Sequence, residues 1–250
     1  MKIKLKRNHD LLYLNENRYE NPKKQHKDLV KIILKLLPKI KKINKPIRDI
    51  GCAAGELLYF LNKKTNNSIT LVGYDVVNKL IYKAKKKMKN NDNVSFKHGS
   101  VTNTSLIKKS SSSLCIFSGV LSIFDEFQSS FNNLINWTAN NGYIMVLSIF
   151  NDYPYDVLIK YRSSDNFKKN EYHLGWNTFS KKSIQNFLKN NKNVKKFYFK
   201  DLFLDFDLKK NKKDLMRTWT IEKRSKKKKF LTNGLNVIFK SSILLIEVKK

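Results

Sequence analysis

Residues 47–55, Ile-Arg-Asp-Ile-Gly-Cys-Ala-Ala-Gly, constrain the fold of this 250-residue chain more than any other stretch. A short apolar strand ends in a carboxylate, Asp49, and small residues follow at alternate positions, Gly51, Ala53 and Gly55. Glu56-Leu57-Leu58-Tyr59-Phe60-Leu61 then opens a helix. Strand, tight small-residue turn and helix bring backbone close to a nucleoside-type ligand. Farther on, a second apolar strand, Thr70-Leu71-Val72-Gly73-Tyr74, ends in Asp75. An acid at about this spacing, roughly 20 residues on, suits a pair of ribose hydroxyls. Glycines after a strand are often only turn residues, and Asp75 alone would serve as a helix N-cap. The two signals together point to a nucleoside cofactor.

A dinucleotide site calls for G-x-G-x-x-G, because a pyrophosphate sits on the helix N-terminus. This chain has G-x-A-x-G with an acid two residues before the first glycine. A carboxylate there repels a diphosphate and suits a cation. S-adenosylmethionine carries an ammonium, a sulfonium and no phosphate. The pattern Asp49-x-Gly51-x-Ala53-x-Gly55 followed by Asp75 resembles the class I S-adenosylmethionine-dependent methyltransferases. The resemblance implies an α/β fold, a doubly wound and mostly parallel seven-stranded sheet, with a cap inserted after the fifth strand. It implies that the Gly51–Gly55 loop passes under the cofactor, that Asp49 lies near its methionine end and that Asp75 holds the ribose. Ala53 replaces a commoner glycine. Residues 94–101 resemble the third strand and its adenine-side turn, with Ser100 and Val101 beside the base. The family often has an acid where Ser100 stands, and a hydroxyl can still meet the adenine amine. Residues 113–121 resemble the fourth strand running into the loop over the cofactor, which includes Ser118. Residues 141–148 resemble the fifth strand behind a glycine turn. The likeness is carried by residues 45–150.

Composition bears on partners. The formal charge is +31, from 51 basic and 20 acidic residues. Only six of the basic residues are arginine, at 7, 18, 48, 162, 217 and 224, which leaves 45 lysines. Sequence-reading of nucleic acid favours the bidentate arginine fork, so a specific nucleic-acid partner is not indicated. The wealth of Lys, Asn, Ile, Phe and Tyr, all with AT-rich codons, is what drift in a low-GC genome produces. The field is physically real all the same and attracts anionic substrates or membrane surfaces. Cys52 and Cys115 fall in expected core segments and read as small buried thiols. No Cys/His cluster has metal spacing, so no metal is expected. The charged start lacks an apolar run behind it, and no stretch reaches the ~18 apolar residues of a membrane span. A cytoplasmic location is the expectation, with the oligomeric state left open.

Along the chain, the division expected is an N-terminal arm and helix (1–44), a cofactor-binding core (45–150) and an acceptor-binding cap with strands that complete the sheet (151–250). Periodicity predicts a helix over 28–41 behind an Asp28 N-cap, and others over 78–89, 126–138 and 181–190, the last capped by Ser180. Residues 110–113 read as a polar turn. Strands are expected around 196–208, 215–222 and 241–248, with Lys226–Lys229 at a hairpin tip.

The acceptor should meet the sulfonium at the C-terminal edge of the sheet, where ligands of open α/β sheets lie. Three segments supply chemistry there: Asn151-Asp152-Tyr153-Pro154-Tyr155-Asp156, Tyr172-His173-Leu174-Gly175-Trp176-Asn177, and Arg217-Thr218-Trp219-Thr220. If the acceptor is a hydroxyl, a base should take its proton, and Asp152 or His173 is the candidate. Asn151, Tyr153, Asp156, Trp176, Asn177 and Arg217 are candidates for holding the acceptor, since aromatics stack on sugar rings and amides or carboxylates hold hydroxyls. Each also has a plain structural reading: packing for Trp176, Trp219 and His173, a turn for Asp152, a salt bridge for Arg217. The function expected is transfer of a methyl group to a small polar molecule or a sugar, for instance of a surface polysaccharide. An RNA or protein methyltransferase is the alternative that the basic field favours. Against it, Ser118-Gly119-Val120-Leu121 stands where an Asn-Pro-Pro-Tyr-like tetrapeptide would serve exocyclic amine chemistry. A non-catalytic nucleotide-binding protein of the same fold is the third possibility.

Overall fold

A computed structural model describes residues 4–6, 13–164, 171–212, 215–222 and 229–250. The elements run β1 (Lys4–Lys6), α1 (Lys24–Ile43), β2 (Ile47–Ile50), α2 (Glu56–Lys64), β3 (Leu71–Asp75), α3 (Asn78–Lys87), β4 (Val94–His98), β5 (Ser112–Ser118), α4 (Gln128–Trp137) and β6 (Thr138–Asn151). There follow β7 (Lys160–Tyr161), β8 (Glu171–Leu174), β9 (Phe179–Ser180), α5 (Lys181–Lys189), β10 (Val194–Leu202), β11 (Trp219–Glu222), β12 (Lys229–Thr232) and β13 (Ser241–Val248).

Strands β2, β3, β5 and β6 are buried along almost their whole length because helices cover both faces of the sheet. The order is β10-β13-β6-β5-β2-β3-β4, with the short β9 pairing beyond the end of β6. The pairs β2–β3, β3–β4, β2–β5 and β5–β6 are parallel, and β13 runs antiparallel to both β6 and β10. This is the doubly wound, mostly parallel sheet expected. Helices α1, α2 and α3 pack through Leu29, Ile33, Leu58, Leu61, Ile81 and Ala84 into the core on one face. Helices α4 and α5 pack through Phe131, Leu134, Ile184 and Leu188 into the core on the other. The strand order reverses between β2 and β5, the switch point at which such sheets bind ligands.

Since β10 is parallel to β6 and β13 antiparallel to it, the end of β6, the end of β10 and the start of β13 share one edge. The described residues of two segments, 152–178 and 203–240, therefore stand on that edge. The first carries β7 and β8, which form a small sheet with β1, and the second carries the β11–β12 hairpin.

Several boundaries differ from the sequence expectation. Helix α1 begins at Lys24, so Asp28 is not its cap but sits one turn in, 3.7 Å from Lys24. The apolar period starts at Leu29 because it marks the buried stripe, while the first turn is polar and half-buried, with Gln25 donating to the Ser241 hydroxyl at 2.9 Å. Ser112 and Ser113 are the first residues of β5 rather than a turn. Their hydroxyls pair with Arg48 and the Pro46 carbonyl, which removes the cost of burying them. The strand expected to reach 208 stops at Leu202, opposite Ser241, because its partner β13 starts there. The strand expected near 215–222 leaves the main sheet and pairs with β12 instead. Of the run 226–229, residues 226–228 lie outside the described residues. Lys229 opens β12 opposite Glu222.

Candidate functional site

The loop between β2 and α2 is held in left-handed backbone, with φ of +81° at Gly51, +47° at Ala53 and +78° at Gly55. Gly51 and Gly55 suffer no Cβ penalty there, and alanine is the smallest residue that does. The amides of Gly51 and Cys52 both donate to the Tyr74 carbonyl, at 2.7 and 2.9 Å. A Cβ on Gly51 would lie 2.2 Å from Val120 Cγ2, so the loop after β5 closes directly onto it.

Asp75, at the end of β3, accepts from the Ala53 and Val77 amides at 2.9 Å each. Its carboxylate thus fixes both the glycine loop and the turn into α3. Asp49, at the end of β2, is 2% exposed, and its Oδ1 has no hydrogen-bond partner among the described residues. Burial, and then the nearby Asp75 carboxylate, push it up to about 7. A buried carboxylate lacking a partner is costly, and a cation delivered to it relieves that cost.

Around this pair stand the other residues expected on the cofactor side. Val101 is buried, and its carbonyl accepts from Asn133 Nδ2 at 2.8 Å. The Ser100 hydroxyl lies 2.8 Å from that of Thr102. Ser118 ends β5, beside the Gly119 amide that donates to the Leu147 carbonyl.

One wall was not foreseen beyond the label of an arm. Residues 13–23 lie against the glycine loop, α2 and α3. Tyr19 is buried, donates to the Ala54 carbonyl at 2.8 Å and packs edge-on to Tyr59. Burial, then the Glu56 carboxylate, raise its hydroxyl to about 12, so it stays a donor. Glu56 accepts from the Arg18 amide, Lys83 donates to the Leu14 and Glu16 carbonyls, and Glu20 pairs with Lys63. The sequence signal was faint: Tyr13 and Tyr19 dotted through a polar stretch.

The acceptor candidates are divided by the fold. Asp152 does not stand alone as a base. It pairs with Lys181 at 2.7 Å and Lys240 at 2.8 Å, and both lysines also hold Asp201. Burial raises Asp152, but hydrogen bonds and charge from the two lysines more than offset this and leave it below the usual carboxylate range. A carboxylate held in that way is a weak base. Its visible role is to tie the end of β6 to α5, β10 and the start of β13. Asn177 is fully buried, and its amide is consumed by the fold. Its Oδ1 accepts from the Ile159 amide, and its Nδ2 donates to the Phe124 carbonyl and to Asp125. Asn151 closes an Asx turn, accepting from the Tyr153 amide and donating to the Tyr155 carbonyl.

Tyr153 is exposed beside it. The Asp156 carboxylate accepts from the Ser180 amide and lines a groove of about 430 Å³ between α4 and α5. His173 stacks on Tyr161, 5.5 Å between centroids, within the small sheet. Trp176 takes φ +65° and packs on Phe239 over Ile149. Arg217 is exposed ahead of β11. Among the described residues no group of three or more His, Cys, Asp or Glu could hold a metal. Cys52 and Cys115 are free and buried.

Residues 41–192 match a family model described as a methyltransferase domain. No curated protein matches the chain in sequence. Solved structures share the fold at low identity. The PH0226 protein of Pyrococcus horikoshii is 16% identical, over 95% of this chain and 98% of that one, with a TM-score of 0.51. The YcgJ protein of Bacillus subtilis is 11% identical, over 86% and 97%, with a TM-score of 0.50. A geranyl diphosphate methyltransferase in complex with GPP and sinefungin is 10% identical, over 81% and 71%, with a TM-score of 0.51.

Proposed function

This chain belongs to the methyltransferase-domain family, with its Rossmann-like fold, and on that premise we propose that it moves the methyl group of S-adenosylmethionine to a small polar acceptor or a sugar. The observation that carries the reading is the Asp49 carboxylate, buried and lacking a partner for Oδ1 among the described residues, beside a loop in left-handed backbone. Those residues fit an ammonium-bearing nucleoside better than a dinucleotide, whose phosphates Asp49 would repel. When bound, the cofactor supplies a methyl group activated on a sulfonium.

The chain's own part is binding, orientation and exclusion of water. Asp49 would pair with the ammonium, and Gly51, Ala53 and Gly55 would let backbone approach. Asp75 would accept from ribose hydroxyls. A carboxylate has about four lone-pair sites, so this is compatible with holding the loop. Ser100 and Val101 would border the base, and Ser118 the reacting end. Residues 45–150 form the cofactor half in this reading, and the segments after β6 and β10 form the acceptor half. Tyr153, Asp156, Trp176 and Arg217 are the side chains proposed to hold the acceptor. With Asp152 ionised between two lysines, His173 is the remaining candidate for taking a proton.

The test is a screen of nucleotide sugars and small acids for S-adenosylhomocysteine release, preceded by titration with S-adenosylmethionine. Binding plus turnover with one acceptor class supports the reading. Absence of cofactor binding removes it, and binding with no turnover on any acceptor favours the non-catalytic alternative.

A further inference from the structure

The charge of this protein is sorted between its two helical layers. Helices α1, α2 and α3, which share one face of the sheet, contain fourteen lysines against two acids, Asp28 and the buried Glu56. Helices α4 and α5, on the other face, contain three lysines, and α4 has no charged residue at all. The neutral polar residues are sorted the opposite way. Asn, Gln and Ser number three in the first layer and nine in the second, shorter one. Codon drift toward AT enriches Asn and Lys alike and has no means of placing one on each face.

Within the lysine layer, Lys27, Lys31, Lys35 and Lys39 recur every fourth residue along α1, all exposed. The helical rise sets them about 6 Å apart in a ladder about 18 Å long. Among the described residues none of the four makes an ion pair. Neighbours within a Debye length repel one another, so the ladder is a feature that stability alone disfavours. On α3, Lys79, Lys85 and Lys86 surround Tyr82, which is 70% exposed.

We propose that the outer face of α1 and the part of α3 around Tyr82 that residues 13–23 leave exposed form a docking surface for the sugar-phosphate backbone of a nucleic acid, held without reading its sequence. Lysine point charges neutralise phosphates but do not discriminate bases, and the exposed Tyr82 ring offers a stacking platform to an unpaired base. A membrane fits less well, since the solvent face of α1 offers only lysines and Pro38 and no apolar wedge. The surface is the back of a helical layer, not the sheet edge that holds Asp49, so it tethers the enzyme rather than presenting a methyl acceptor.

The test compares two quadruple variants of equal charge by fluorescence anisotropy with a labelled 20-nucleotide RNA of mixed sequence, across a salt series. One variant changes Lys27, Lys31, Lys35 and Lys39 to Gln. The other changes Lys182, Lys189, Lys192 and Lys200 to Gln, all exposed and outside the lysine layer. The ladder variant should bind at least tenfold more weakly at about 50 mM salt, with the log–log salt slope reduced by about 3. The control variant should stay within threefold of wild type, and Tyr82→Ala should lose about fivefold or more on single-stranded RNA. Neither quadruple variant should lower the thermal midpoint, and the ladder variant should raise it slightly as the repulsion is relieved. Equal losses in the two quadruple variants, no RNA binding by the wild type, or tight binding to phosphatidylserine vesicles without RNA binding would each overturn the proposal.

Discussion

Asp49 and Asp75 are adjacent acids with different tasks. Asp75 is hydrogen-bonded twice by backbone and shapes the loop, whereas Asp49 is buried with an oxygen left over. Because burial and Asp75 raise Asp49 to about 7, its folded value lies above its unfolded one. The fold is therefore favoured at low pH by this group, and that contribution is lost as pH rises from about 4 to about 7. Asp49→Asn should flatten this part of the thermal-midpoint profile, and an unchanged profile would show the carboxylate to be solvated. Gly51→Val should abolish cofactor binding, since a Cβ there meets Val120 at a backbone φ that valine resists. Ala53→Gly should be nearly neutral. Retained calorimetric affinity in the valine variant would place the loop away from the ligand. These three positions were legible in the sequence because their meaning is local, a strand end and the turn after it. The structural part played by Asn177 was not legible, because an amide that joins Phe124, Asp125 and Ile159 looks in sequence like any amide near a tryptophan. Asn177→Ala should cost about 1–3 kcal/mol in denaturant unfolding, since the half-buried Ile159 amide and Phe124 carbonyl lose their partner.

The elements of the parallel sheet were readable because strands buried on both faces are nearly continuous apolar runs. The segments on the sheet edge were not, since β11, β12 and the small β1–β8–β7 sheet depend on partners far off in the chain. The salt-bridged cluster of Asp152, Lys181, Asp201 and Lys240 belongs to this scale. It fastens both edge segments where they leave the sheet, with Ser242 adding a hydrogen bond to Asp201. Asp152→Asn should leave S-adenosylmethionine affinity within about threefold of wild type while most transfer to the true acceptor is lost through a displaced cap. Lost cofactor affinity with normal turnover at saturation would assign the cluster to the other half of the pocket. Asp201, raised by burial but brought down to about 2 by Lys240 and Lys181, contributes stability above about pH 4 that is lost as pH falls toward 2. Protease sensitivity within 203–240 should rise over that window, and resistance unchanged down to pH 2 would contradict the fastening role.

At the scale of the molecule, one sheet carries two asymmetries. Its C-terminal edge gathers the carboxylates and the cap, and one helical layer gathers the lysines. The first asymmetry was legible from motif order, because strands and acids come at spacings that few other folds require. The second was hidden, since a count of 45 lysines does not say which helices share a face; only the packing of α1, α2 and α3 on one core reveals it. Everything proposed for the edge rests on the cofactor, so the decisive measurement is a calorimetric titration of the full chain with S-adenosylmethionine, repeated on Asp75→Ala. The proposed site should bind one S-adenosylmethionine per chain, at least tenfold more weakly in the variant because charge-assisted bonds of ~1.5–3 kcal/mol each are lost. No saturable heat with the wild type, or equal affinity in the two proteins, would contradict it.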